Sequence, residues 1–527
     1  MTIQLCILRI FLVLNIYIIN ISIFINYKRC AWKKGRILTK TYKEINEKIE
    51  KGTALVLTAE EMIDYVEENG VSIAAEEVDV VTTGTFGPMC SSGAFLNFGH
   101  ADPPIKFDHL WLNGVHAYHG NAAVDCYIGV TRMADKRPYE YGGGHVIEDL
   151  ISKKEIRLRG ISDTTDCYPL DEVDTNITID DVNQAILCNP RNAYQRYVCA
   201  VNGTDKTMYT YMGKLLPHFG NAHYAGSGCL NPLTNDPDYE TIGMGTRIFL
   251  GGGIGYVVGE GTQHNPKEGF GTLFVKGDLK QMTPKYLKGA KFEKYGVSMF
   301  CGLGVPIPIL NEKMAEKTAI KDEDITTEIV DYGIPRRERP TIRKTNYKEL
   351  KSGSVRINGK DVKCSSMSSL YYAREIAEEL KLWIEKAKFF LNPPAEKLPT
   401  KRIFKSMKQT SKLKFVKDLK RKAIICYDDC DIKIVAKKII EENMNHIIIT
   451  DHDKKLKGIV TSFDVTKAIA ENKSELENII TKRVITTTDN EPITIAARKM
   501  KTNQISALPV IDNHNKVQGI ITSEDLM

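Results

Sequence analysis

The chain has 527 residues, 42% of them hydrophobic and 26% charged, with a formal net charge of +6. That length is too great for one ordinary core and sets an expectation of about three to four folding units. The charge is small for the length, and no concentrated basic arm or face is present, which argues against a nucleic-acid partner.

The 12 cysteines are scattered and form no CxxC pair, so zinc-ribbon and iron–sulfur spacings are absent from the sequence. No tightly bound redox cofactor and no metal are expected. In a reducing compartment such thiols are mostly small buried apolar groups.

Residues 1–38 read as a hydrophobic and basic leader. The apolar stretch has about the length of a membrane span, but Arg9, Asn15 and Asn20 interrupt it. A charge near the centre of a span costs roughly 2.5–3.5 kcal/mol on insertion scales. As a signal anchor, its basic cluster (Lys28, Arg29, Lys33, Lys34, Arg36) would hold the remainder of the chain in the cytoplasm. The dominance of Ile, Leu and Asn fits instead a mis-called start, with folded sequence beginning near Thr39. A genuine soluble extension is the third reading, and the expected location is cytoplasmic on each.

From Thr39 a short helix is expected, with Tyr42, Ile45 and Ile49 at helical spacing and an end at Gly52. A strand and a helix follow, the helix opened by a capping box of Thr58 and Glu61. "EEVDVVTTGTFGPMCSSGAF" reads as a buried strand running into a glycine turn. From 85 to 310, short apolar runs punctuated by glycine indicate strands and tight loops. "GGGIGYVVGEG", Gly251–Gly261, lacks the following helix and ribose carboxylate of a dinucleotide site, so its glycines are read as letting backbones approach. "YGGGHV" reads the same way. A long amphipathic helix is expected over 369–391, with Ile376, Leu380, Ile384 and Ala387 as its stripe. The proline-bearing stretch at 392–405 is taken as a linker.

After it comes an internal repeat, 406–470 and 471–527. Gly458 matches Gly519, Thr461 matches Thr522, and Asp464 matches Asp525, without a gap. A unit of this size cannot bury its sheet face alone, so the two should pack as a pair. The repeat, with "GIVTSFD" and "GIITSED", resembles the CBS-domain pair. The resemblance implies that Thr461, Asp464, Thr522 and Asp525 line pockets for an adenosyl ligand, each carboxylate accepting ribose hydroxyls. The alternative is that each Asp merely caps its helix. Few basic residues flank the turns apart from Lys422, Lys482 and Arg483, which favours S-adenosylmethionine or methylthioadenosine. Homodimerisation through the CBS pair is implied as well. The last helix of the second unit is nearly missing, which leaves its pocket to be altered or completed by a neighbouring chain.

Two thiols of the large domain (39–391) stand out. Cys90 lies in "GPMCSSGAF", a turn rich in backbone donors, which is expected to lower its pKa. Cys167 lies in the polar loop "SDTTDCYPL", where Asp163 and Asp166 should raise its pKa unless a cation answers them. Local chemistry therefore favours Cys90. Cys126, Cys188, Cys199, Cys229 and Cys301 read as core. His100, His109, His116, His119 and His145 show no HExxH-type spacing and read as surface or hydrogen-bonded groups.

"TYKEINEKIEKGTALVLTAEEM", "VTTGTFGPMCSSGAFLNFGH", "GGGHVIEDLI" and "DTTDCYPL", joined to a terminal CBS pair, closely resemble the homocysteine biosynthesis family, whose members are L-aspartate semialdehyde sulfurtransferases. The resemblance implies that Cys167 carries a persulfide and that Cys90 is a second candidate in sulfur relay, which reverses the local ranking. It also implies a ferredoxin-like iron–sulfur protein as electron donor. Arg157, Arg159 and Arg191 are candidates for holding the substrate carboxylate, with surface ion pairs as the alternative. The expected fold is mixed α/β: a large catalytic domain of short strands and glycine turns, then the tandem CBS module. Two other functions remain open. One is a different CBS-regulated thiol enzyme, disfavoured because no (βα)8 rhythm is present. The other is a non-enzymatic adenosyl-ligand sensor.

Overall fold

The computed structural model describes residues 39–402, 404–407 and 414–526. The leader, and the expectations attached to it, lie outside the described residues. Among the described residues no helix is long and apolar enough to cross a membrane.

The large domain is built on a nine-stranded antiparallel sheet. Its order runs Leu287–Phe292, Gly296–Gly304, Arg247–Leu250, Gly253–Glu260, Leu273–Asp278, Gln184–Asn192, Gly93–Asn97 and Asp125–Gly129, with Thr85–Pro88 paired to Gly296–Gly304 beside this path. Gly251 and Gly252, both at positive φ, turn the Arg247–Leu250/Gly253–Glu260 hairpin. The glycine run is thus a hairpin and no nucleotide loop.

A second antiparallel sheet of four strands, Val115–Ala117, His109–Leu112, Ile156–Ile161 and Glu172–Ile177, shares the main core with the first. The helix Gly143–Ile151 packs on strands of both. Its opening glycines are required by space. A Cβ on Gly143 would stand 2.1 Å from the Gly129 carbonyl oxygen, and one on Gly144 would stand 2.3 Å from that of Ser298.

The expected capping box at Thr58/Glu61 forms, and the structure adds a second at Thr41/Glu44. The amphipathic helix spans Leu370–Glu385 and buries Ala373, Ile376, Ala377, Leu380 and Ile384. It ends before the sequence pattern does, because Ala387 takes a left-handed conformation and Phe389 turns back into the core. A six-stranded mixed sheet, Thr341–Asn346 to Ser354–Ile357, completes the domain. Residues 392–399 run along the body: Glu396–Lys397 pairs with Gly243–Met244, and His264 Nε2 lies 3.0 Å from the Pro399 carbonyl oxygen.

The terminal module holds the two repeats in one pseudo-symmetric pair. Ile425–Tyr427, His446–Thr450 and Leu456–Thr461 form the first sheet, and Ala507–Ile511 with Val517–Thr522 the second. The units exchange edges, Arg421 bridging to Ile520, and they share a core of Ala423, Ile448, Ala507, Val517 and Ile520. Neither sheet face is large enough to be buried by its own unit, which is why the repeats pair.

Candidate functional site

Cys90 sits in the tight turn between Thr85–Pro88 and Gly93–Asn97, half-buried. The buried Ser298 donates its hydroxyl to the Cys90 sulfur at 3.1 Å. Burial pushes the thiol pKa up, while the Ser298 hydroxyl and the Arg191 guanidinium act against this. The sequence expectation of a lowered pKa is therefore overturned. Desolvation of a half-buried thiolate outweighs one hydroxyl donor and a neighbouring cation.

Arg191 links this thiol to a cluster of tyrosines. Its Nε is buried without a partner. Tyr194, held largely un-ionised by burial, feels both Arg191 and Cys90. Next to it Tyr197, Tyr211 and Tyr332 form a hydroxyl chain with spacings of 3.3 and 2.9 Å, and the Arg339 guanidinium lies 4.0 Å over the Tyr332 ring. Burial holds Tyr197 and Tyr332 far above the usual phenol range. The Tyr197 and Tyr332 hydroxyls are therefore neutral hydrogen-bonding groups at neutral pH. A cation with an unspent N–H and neutral hydroxyls together suit a small substrate bearing a carboxylate and a carbonyl.

Cys167 sits at the tip of the hairpin between Ile156–Ile161 and Glu172–Ile177. The tip is closed by reciprocal backbone bonds of 3.0 Å between Thr165 and Tyr168, and Tyr168 stacks on His100 at 5.5 Å. Among the ten described cysteines Cys167 alone is exposed. Cys188, read as core, is only half-buried, while Cys126, Cys199, Cys229 and Cys301 are buried as expected. Cys90 and Cys167 belong to turns of different sheets.

Arg157 and Arg159 do not face the thiols as free cations. They pair across the strand with Asp174 and Glu172, at 2.7 and 2.9 Å. Only Arg191, of the three arginine candidates, adjoins a candidate cysteine.

The histidines fall into two groups. His145 stacks on Tyr141 and His100 on Tyr168, as single groups. His109, His116 and His119 instead converge, with ring nitrogens all within 4.8 Å of one another. The signal was present as "HLWLNGVHAYH", a hairpin pattern around Asn-Gly. Asn113 and Gly114 do take positive φ, and Trp111 pairs with His116, so strand alternation brings His109 and His116 to one face.

In the terminal module Thr461 and Asp464 form a capping box, the Asp464 carboxylate accepting the Thr461 N–H at 2.8 Å and its hydroxyl at 2.7 Å. Thr522 and Asp525 repeat this at 2.8 Å for both bonds. The second carboxylate also pairs with Arg421. The capping role is thus real, and the two equivalent sites differ in charge. A separate cavity of about 480 Å³ lies between the module and the large domain, lined by Lys206, His218, Lys457, Lys482 and Lys499 among others.

A body built on a nine-stranded antiparallel sheet, carrying one exposed and one half-buried candidate thiol, is followed by a paired repeat, and this two-part architecture defines the class of protein. The chain belongs to the family described as homocysteine biosynthesis enzyme, sulfur-incorporation, whose profile matches residues 54–391, and the CBS domain profile matches 416–471 and 476–527. A relative from Methanosarcina acetivorans, named L-aspartate semialdehyde sulfurtransferase, is 52% identical over 492 residues, covering 93% of this chain and 98% of its own. A relative of the same name from Methanocaldococcus jannaschii is 53% identical over 506 residues, with the same coverage. A solved CBS domain pair in complex with 5′-methylthioadenosine and S-adenosyl-L-methionine is 42% identical, covers 22% of this chain and 94% of its own, and aligns with a TM-score of 0.22.

Proposed function

We propose that the protein converts L-aspartate semialdehyde to L-homocysteine, with sulfur carried as a persulfide on Cys167. The observation that carries this reading is that Cys167 is the one exposed thiol among the described residues. A carrier must meet an external sulfur donor, and a hairpin tip allows that. Cys90, beside Arg191 and the tyrosines, would serve the substrate end of the relay, with Arg191 binding the carboxylate.

The electron balance sets the partner. Aldehyde plus sulfide, less water, gives a thioaldehyde, whose reduction to the thiol takes two electrons and two protons. Release of sulfide from the persulfide takes two more of each. The complete conversion therefore needs four electrons, and a ferredoxin-like iron–sulfur protein is the donor in this reading. The CBS pair would bind S-adenosylmethionine or methylthioadenosine at Asp464 and Asp525, and pair two chains. Its contact with the body, Arg336 to Asn490 at 3.3 Å and Arg336 over Phe415, offers a route for the ligand to bias the large domain.

The test is intact mass after polysulfide treatment. A gain of about 32 Da that is lost in Cys167→Ala supports the carrier role. A gain that survives Cys167→Ala and is lost in Cys90→Ala transfers that role to Cys90. No gain in the wild-type chain sinks the persulfide step.

A further inference from the structure

We infer that His109, His116 and His119 form a binding site for a divalent metal ion of the zinc class, with an exchangeable fourth position. The site lies on the solvent face of the four-stranded sheet and is independent of the sulfur-transfer reading. His109 opens one strand, His116 is the middle residue of the next, and His119 follows three residues after His116.

Geometry is the first argument. Zinc–nitrogen bonds of about 2.0–2.1 Å in a tetrahedral site place ligand nitrogens roughly 3.4 Å apart. The three ring nitrogens already lie within 4.8 Å of one another. Closing that triangle moves each nitrogen inward by about 0.8 Å or less, which small torsions of partly exposed imidazoles supply. The ring planes are inclined to one another by 45°, 70° and 83°, so the three imidazoles do not stack.

Availability is the second. Among the described residues none of the three imidazoles makes a hydrogen bond or ion pair with a protein group. Three unspent imidazoles without a carboxylate suit zinc, and also nickel, copper and iron, better than magnesium or calcium. Asp135, fixed by the Trp111 indole N–H at 3.1 Å, is the carboxylate that acts on His116, with Arg132 as the opposing cation. Three protein ligands leave one position for water or a soft anion such as hydrosulfide.

Position is the third. His109 pairs with Ile161, the residue where its strand turns into the Cys167 hairpin, and the Asp108 carboxylate accepts the Asp163 N–H at 2.7 Å. The cluster thus stands at the end of the sheet that bears the exposed thiol.

The test uses the full chain, stripped with chelator under reducing conditions and dialysed against Zn²⁺ or Co²⁺ alone. The expected result is one zinc per chain more in the wild type than in the variant carrying His109→Ala, His116→Ala and His119→Ala. Each single substitution weakens binding at least about tenfold. Bound Co²⁺ should show intense tetrahedral d–d absorption that vanishes in the triple variant. Should the triple variant fail to fold by circular dichroism, His109→Ala with His119→Ala, which alters only exposed side chains, replaces it. Equal zinc content in wild type and variant overturns the proposal, as does a wild type that retains none. A Co²⁺ spectrum dominated by thiolate charge transfer and unchanged in the variant assigns the metal to cysteines and overturns it equally.

Discussion

Ser298→Ala isolates the hydrogen bond that opposes the burial of Cys90. The hydroxyl lies 3.1 Å from the sulfur, and serine at this position is fully buried, so no water replaces it. Burial raises the thiol pKa, and Ser298 is the largest influence lowering it. Removing the donor must therefore raise the pKa further. A hydrogen bond to a charged acceptor contributes roughly 1.5–3 kcal/mol, and sulfur is a weak acceptor, so about 1 kcal/mol is a fair figure. At 1.36 kcal/mol per pKa unit this amounts to a rise of about 0.7 unit. Below the pKa the thiolate fraction then falls about fivefold. The assay is iodoacetamide alkylation at fixed pH, with the Cys90 peptide followed by mass spectrometry. Expected is a rate about fivefold lower in Ser298→Ala, with alkylation of Cys167 unchanged as the internal control. An unchanged or faster rate at Cys90, in a folded variant, would refute the argument that this bond tunes the thiol.

Gly143→Ala should destabilise the large domain by about 1–3 kcal/mol, because the new Cβ meets backbone atoms of Gly129 that cannot step aside; urea denaturation measures it. Asp464→Ala removes the acceptor of the Thr461 N–H and hydroxyl, costing about 1 kcal/mol in thermal melting of the CBS module. Calorimetric titration of the full chain with S-adenosylmethionine should show weakened binding in the same variant, and unchanged affinity at both CBS sites would exclude Asp464 as a ribose ligand. His446, buried and 2.9 Å from Ser506 across the two repeats, has a pKa lowered by desolvation from its ordinary 6.5. The unfolded chain binds that proton more readily, so stability is full above about pH 6.5 and falls as the pH drops toward the folded-state pKa. His446→Gln should flatten this part of the stability curve, as read by urea midpoints between pH 5 and 8.

Local order was legible where short-range chemistry decides it. The Thr58–Glu61 box is four residues long and needs nothing from the remainder of the fold to form. The repeat was legible because Gly458, Thr461 and Asp464 recur in register at Gly519, Thr522 and Asp525, and identical local chemistry builds identical turns. The helix over 370–385 was legible as a stripe, but its end was not: the residues after Glu385 have good helical character and yield to the burial of Phe389.

The candidate site was legible in its residues and illegible in its electrostatics. Cys90 looked activated because its neighbours in sequence are glycine and serine, whereas its pKa is governed by desolvation and by Ser298 and Arg191, over one hundred or more positions away. For Arg157 and Arg159 the ion-pair alternative holds, and the sequence left the choice open because their partners, Asp174 and Glu172, belong to the next strand. The three histidines looked unrelated because a search by linear ligand spacing does not count the face-sharing of a two-residue hairpin turn.

Sequence alone determined which residues can do chemistry, the family to which they belong, and the division into a body and a CBS pair. Those follow from side-chain type and short-range order. The polar loop around Cys167 already pointed to an accessible thiol; only the tertiary structure decided which arginine keeps an unspent N–H and which groups surround Cys90. Desolvation and the company a buried cation keeps are set by elements that meet across the fold, such as Ser298 and Arg191 at Cys90, and no local pattern carries that information.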